Sequence, residues 1–227
     1  MRAVTFISMA CLVVAACGGE APAPAAAPAP SAAAPAARAS TAPRPRIVFL
    51  GDSLTAGLGL DPAQSFPSLI GQRLAAEGLE YEIVNAGVSG DTSAGGLRRV
   101  DWSLDGDVKV LVVALGANDG LRGLSPVELK RNLGAVLDRA AARGITVILA
   151  GMEAPPNFGA DYTRQFRSVY TELAQTYRVR LVPFLLEGVA GNASLNQRDG
   201  IHPNARGAQM VADLVWAELK PVLARPN

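Results

Sequence analysis

Ile47-Val48-Phe49-Leu50-Gly51-Asp52-Ser53-Leu54 is an apolar run that stops at a glycine and then presents an acid and a hydroxyl. Four consecutive buried-type residues entering a glycine read as a central strand of a parallel sheet, covered on both faces and ending in a tight turn. Ser53 then stands just beyond the strand's carboxyl end, the edge at which ligands bind in open α/β sheets. Taken alone, the serine is either a nucleophile or a turn residue. What the rest of the chain brings to the same edge decides between the two.

With Arg46 to Gly51, the apolar, β-branched runs number five; the others are Tyr81 to Asn85, Val108 to Gly116, Ile145 to Gly151 and Val179 to Phe184. Helical patterns lie between most of them. Phe66, Leu69, Ile70 and Leu74 share one helix face, and Gly78 follows as a stop. Ser125-Pro126-Val127-Glu128 predicts a hydroxyl N-cap, a proline at the first helical position and a glutamate completing a capping box. Leu129, Leu133, Val136, Leu137 and Ala140 then form a buried stripe, with Gly144 placed for a left-handed cap. A further helix starts near Asp161 and carries Tyr162, Phe166, Val169, Tyr170, Leu173 and Tyr177 on one face. The last carries Val211, Leu214, Val215 and Leu219, with Pro221 ending or kinking it. Between the second and third strands, Leu97, Val100 and Leu104 suggest a small helix, and the stretch from Gly90 to Asp107 is long enough for a crossover. Alternation of strand and helix predicts right-handed βαβ units: an α/β fold, a parallel sheet with helices on both faces.

The chain has a single histidine, so any serine activated by an imidazole must use His202. It lies in Asp199-Gly200-Ile201-His202-Pro203, between the fifth strand and the last helix. A tight loop can bring the Asp199 carboxylate to one ring nitrogen while the other takes the proton of Ser53; by itself the segment equally fits a solvent-facing loop histidine with Asp199 as a turn residue. After the second strand comes Gly87-Val88-Ser89-Gly90-Asp91-Thr92, and after the third Gly116-Ala117-Asn118-Asp119-Gly120. Glycine at 90 would let a backbone N–H approach a substrate oxygen, the Asn118 amide could donate to the same oxygen, and the Ser53 N–H would complete a three-donor oxyanion hole. Turn formers are also common in such loops for conformational reasons alone. Neither stretch fits a dinucleotide or P-loop phosphate cradle.

Ser53 does not sit in G-x-S-x-G, which argues against an ordinary α/β-hydrolase. The chain instead resembles the SGNH hydrolases, also called GDSL esterases and lipases: Gly51-Asp52-Ser53-Leu54, then Gly90, then Gly116-x-Asn118-Asp119, then Asp199-x-x-His202, in that order. Ser89-Gly90-Asp91-Thr92-Ser93, Gly116 to Gly123 and Asp199 to Asn204 look like the bacterial thioesterase I, lysophospholipase and arylesterase branch. The resemblance covers Arg46 to about Leu223. It implies a flavodoxin-like three-layer α/β/α sandwich, a five-stranded parallel sheet of order 2-1-3-4-5, and hydrolysis of carboxylic esters or thioesters without cofactor or metal. It also implies Ser53 as nucleophile, His202 as general base and then acid, Asp199 as its orienter, and Ser53, Gly90 and Asn118 as oxyanion donors. Carbohydrate acetylesterases share the framework, and a noncatalytic acyl-binding lipoprotein is the alternative outside enzymes. The loop Met152 to Phe158 faces the same edge and could line the acyl pocket; the resemblance assigns the triad acid to Asp199, not Glu153. Asn192-Ala193-Ser194 matches a glycosylation sequon but reads as a loop.

Residues 1–16 read as a secretory signal: Arg2 precedes an apolar segment from Ala3 to Ala16, short of the roughly 20 residues that span a bilayer. Val14-Ala15-Ala16-Cys17 resembles the lipobox of bacterial lipoproteins, which makes Cys17 the expected lipidated residue. Gly18, not aspartate, follows, which leans towards an outer-membrane lipoprotein facing the periplasm; an ordinary signal and a soluble periplasmic protein are the alternative. To residue 45 the chain is mostly alanine and proline, an extended tether that at about 3.1 Å per residue reaches on the order of 80 Å. Residues 46–227 are then the hydrolase domain. Cys11 is lost with the signal, so the exported domain has no cysteine for a disulfide. The 21 basic residues against 20 acidic ones, level once Arg2 is removed, give no reason to expect nucleic acid. The expected partners are a small acyl ester or thioester and, through Cys17, a membrane; a monomer is expected.

Overall fold

The computed structural model describes residues 44–223; the expected signal segment, Cys17 and nearly all of the Ala/Pro-rich stretch read as a tether lie outside the described residues. Five strands, β1 (Arg46–Gly51), β2 (Glu82–Gly87), β3 (Val108–Ala114), β4 (Thr146–Ala150) and β5 (Arg180–Val182), form one all-parallel sheet in the order β2-β1-β3-β4-β5. Ile47 to Leu50 and Leu111 to Val113 are fully buried, as continuous apolar runs in doubly covered central strands must be.

Among the described residues seven α-helices accompany the sheet: α1 (Ser53–Ala56), α2 (Phe66–Ala76), α3 (Ser93–Ser103), α4 (Ala117–Leu121), α5 (Pro126–Ala142), α6 (Ala160–Tyr177) and α7 (Ala205–Leu223). Helices α3, α5 and α6 pack side by side, and α2 packs against α7. That division follows from handedness: the connection from β1 to β2 runs one way along the sheet and the later ones run the other, so right-handed crossovers place their helices on opposite faces. The expected three-layer sandwich and its strand order are the ones found. Tyr162, Phe166 and Tyr170 stack along α6 with ring centroids 5.9 Å apart at each step, and Phe49 meets Phe66 edge-on at 5.7 Å, which is core packing.

Some local expectations change. Ser125 is the N-cap of α5 and Pro126 its first residue, but the serine side chain makes no cap hydrogen bond. Glu128 turns to Arg131 one turn along instead of back to the cap, so the box is absent. Pro221 does not end the last helix; it lies within α7, which continues to Leu223. Strand β2 runs on to Gly87, whose pairing with Gly51 extends the ladder.

That last pairing positions the site. Gly51 is in register with Gly87 on one side and Ala114 on the other, so β2, β1 and β3 end level and their loops rise from one edge. Helix α1 lies directly over Gly87. A Cβ there would fall onto the backbone nitrogen of Ala56, 2.7 Å from its Cα and 2.8 Å from the Thr55 carbonyl carbon. No rotamer change relieves a clash with backbone, so Gly87→Ala is expected to destabilise the domain by about 1–3 kcal/mol or more, read as a lower urea midpoint. An unchanged midpoint would contradict this account of how α1 is seated.

Candidate active site

Ser53 is the first residue of α1, with Asp52 as N-cap, and Asp52 Oδ1 accepts from the Leu54 N–H at 3.0 Å. A first-turn N–H has no partner within its own helix, so the strand-to-helix turn presents both the Ser53 N–H and its hydroxyl at the sheet edge. The serine is 9% exposed and Asp52 only 1%.

The segment Asp199 to His202 closes on itself through Gly200, at φ 76°. Asp199 Oδ1 accepts from the N–H groups of Ile201 and His202, each at 3.1 Å, and Oδ2 accepts from His202 Nδ1 at 2.7 Å. The histidine contact first, and then the two backbone donors, hold the Asp199 carboxyl down at about 2. A carboxylate at Nδ1 places the ring proton there, so Nε2 faces Ser53 Oγ as an acceptor, 2.9 Å away. Gln197 ties the two loops together: its N–H donates to the His202 carbonyl at 2.7 Å, and its amide to the carbonyls of Leu58 at 2.7 Å and Pro203 at 2.9 Å.

Gly90 follows β2 at φ 84°, a conformation that favours glycine. Among the described residues its N–H meets no intramolecular acceptor, while its carbonyl accepts from Arg122 at 3.0 Å. Asn118 stands in the first turn of α4, donating to the Asp91 carbonyl at 3.0 Å; its amide nitrogen lies 3.4 Å from Asp52 Oδ2. One amide hydrogen is therefore well held, and the other has only a long contact. Burial pushes the Asp52 carboxyl up to about 6, against the lowering effects of the Leu54 N–H, His202 and Asn118. Asp52 is next to the serine in sequence, but it is Asp199 that bonds the imidazole.

Ser53, Gly90, Asn118 and His202 line one groove of about 640 Å³, with Met152 to Pro156 along its wall. The loop after β4 thus lines the groove as expected. Among the described residues no group of three His, Cys, Asp or Glu side chains is arranged to hold a metal ion.

Sequence reasoning missed the residues that brace these loops. Arg99, on α3, donates to the carbonyls of Gly51 and Ala86 and to the Asp91 carboxylate, all at 2.7 Å. It thereby clamps the ends of β1 and β2 to the loop that carries Gly90. Asp119, which is buried, accepts from the Ser93 N–H at 2.8 Å and its hydroxyl at 2.6 Å, and Asn132 donates to that hydroxyl at 3.0 Å. No local spacing announces either arrangement, because the partners meet only when separate crossovers fold onto the sheet.

A level parallel sheet of this order, with serine, glycine, asparagine and histidine rising from one edge in that sequence, defines the class of SGNH hydrolases. The chain belongs to the GDSL-like lipase/acylhydrolase family, whose model matches residues 49–210. Over 178 residues it is 46% identical to the esterase TesA of Pseudomonas aeruginosa, covering 78% of this chain and 89% of that protein. Over the same length it is 34% identical to thioesterase 1/protease 1/lysophospholipase L1 of Escherichia coli K12, covering 78% and 84% of the two chains. A crystal structure of TesA superposes with a TM-score of 0.75 at 44% identity, covering 78% of this chain and 99% of that one.

Proposed function

We propose that the protein hydrolyses carboxylic esters and thioesters through an acyl-enzyme on Ser53. The observation that carries this is the continuous hydrogen-bond line from Asp199 to His202 at 2.7 Å and on to Ser53 at 2.9 Å, opening on a groove. Ser53 Oγ attacks the acyl carbonyl while Nε2 of His202 takes its proton. His202 returns that proton to the departing alcohol or thiol, then draws one from water so that hydroxide attacks the acyl carbon and Ser53 is regenerated. Asp199 stabilises the imidazolium in both halves. The N–H groups of Ser53 and Gly90 and the Asn118 amide receive the negative oxygen, Asn118 exchanging its long contact with Asp52 for the substrate. Leu54, Leu58, Leu121, Phe184 and Leu186 in the groove wall suit an alkyl or aryl acyl group better than a sugar, which favours this reading over a carbohydrate acetylesterase. Membership of a family with relatives named esterase and thioesterase supports both leaving groups. The test is turnover of p-nitrophenyl esters and matched acyl thioesters across chain lengths. Hydrolysis of both is expected, and no turnover of any would contradict the proposal.

Export as a Cys17 lipoprotein belongs to the same proposal and rests on the lipobox-like Val14-Ala15-Ala16-Cys17. In a bacterial host fed radiolabelled palmitate, the wild-type protein is expected to take up label and Cys17→Ser to lose it. An unlabelled wild type would point to the soluble periplasmic alternative.

A further inference from the structure

His202 and Glu153 are the only acidic or basic side chains among the residues that line the groove. Glu153 has no part in the hydrogen-bond line to Ser53, yet its place in the wall is firmly set. Beyond β4, the Gly151 N–H donates to the Val182 carbonyl at 2.8 Å and the Gly151 carbonyl accepts from Leu185 at 2.9 Å. Met152 is buried in the core, and two prolines, Pro155 and Pro156, stiffen the chain that follows. Gly120 approaches the loop closely: a Cβ there would sit 3.3 Å from the Ala154 Cα. Among the described residues the carboxylate has one ion-pair partner, Arg167, at 3.4 Å, with side chains 41% and 68% exposed. That is long for a charge-assisted hydrogen bond and weak as an exposed pair. Arg167 does not line the groove, and the Arg122 guanidinium, also outside the lining, is turned to the Gly90 carbonyl. Of the residues that line the groove beyond Asn118, Glu153 is therefore the one that carries a formal charge, with both arginines set outside the lining.

We infer that Glu153 is a specificity-determining residue that sets the groove against anionic substrates, so that neutral and ammonium-bearing acyl esters are processed in preference to acyl-CoA thioesters with their phosphates. The inference rests on the ester-hydrolase reading and narrows its substrate class. A charge on a low-dielectric wall acts on a second charge in the same groove more strongly than it would in open water. Repulsion of the wrong charge gives discrimination without any new attractive contact. Since Glu153 is partly exposed, the effect must weaken as salt shortens the screening length.

The experiment compares wild type, Glu153→Gln and Glu153→Lys on three octanoyl substrates: the CoA thioester, the neutral N-acetylcysteamine thioester and octanoylcholine. At about 20 mM salt the CoA-to-neutral ratio of kcat/KM is expected to rise roughly threefold to tenfold in Glu153→Gln and further in Glu153→Lys, with the choline-to-neutral ratio falling in the same order. At about 500 mM salt both trends should collapse. Equal ratios in all three proteins, or changes that salt leaves untouched, would overturn the inference. Glutamine is nearly isosteric with the partly exposed glutamate, so Glu153→Gln keeps the test available if the lysine variant folds poorly. Wild-type turnover of the neutral thioester reports separately on the ester-hydrolase reading. Its absence would sink that reading, whereas turnover with flat ratios would sink only the role of Glu153.

Discussion

Replacing Ser53 with alanine is expected to lower kcat for a p-nitrophenyl ester on the order of 10⁶-fold, with His202→Ala nearly as damaging and the double variant no worse than either. The reason for this non-additivity lies in the geometry. His202 Nε2 has Ser53 Oγ at 2.9 Å as its partner, so a base without its nucleophile, or a nucleophile without its base, leaves only binding and the oxyanion donors. Because the chain holds one histidine, no other imidazole can substitute. Thermal melts of the single variants should stay close to wild type, since each removes a side chain at the groove rather than in the core. Near-normal turnover by His202→Ala, or losses that multiply in the double variant, would contradict the assignment.

The second large effect is expected at Asn118. Replacement by alanine should lower kcat roughly 100-fold to 1000-fold, with KM moving far less, because the amide's bond to the substrate oxygen strengthens as negative charge develops there. The same change frees the Asp91 carbonyl, which Asn118 holds at 3.0 Å, and on that account costs about 1 kcal/mol of stability. The two consequences separate in practice: a urea melt reads the second and steady-state kinetics the first. A variant that melts lower yet turns over at the wild-type rate would leave Asn118 a loop brace and nothing more.

The sheet is legible in the sequence because its central strands are buried on both faces: Ile47 to Leu50 and Val110 to Leu115 need no alternation to be recognised. The strand order came from the family resemblance, and the register of Gly51 with Gly87 and Ala114 could not be read from either run alone. Edge strands are harder. Strand β5 has only three residues, Arg180–Val182, because its apolar run continues as a loop that covers the groove through Phe184 and Leu186. The α5 cap shows the limit of local patterns: Ser125 and Glu128 have the right spacing, but Glu128 pairs with Arg131.

At the candidate site, the residues legible in advance are those whose spacing is local. Asp199 and His202 are three apart, and one tight turn suffices to join them. The Arg99 clamp is illegible because it joins two strand ends and a loop, with partners 48, 13 and 8 residues away. Glu153 is legible as part of a loop that could line the acyl pocket and as a residue distinct from the triad acid. Its place in the groove wall depends on how the β4 loop is held against β5.

The central claim, that Ser53 becomes acylated with His202 as its base, is tested most directly by treating the folded protein with a fluorophosphonate and locating the adduct by peptide mass spectrometry. One phosphonyl group on Ser53 in the wild type is predicted, with none in Ser53→Ala and very slow labelling in His202→Ala. A wild-type protein that turns over esters yet stays unlabelled, or that is labelled at another residue, would contradict the account.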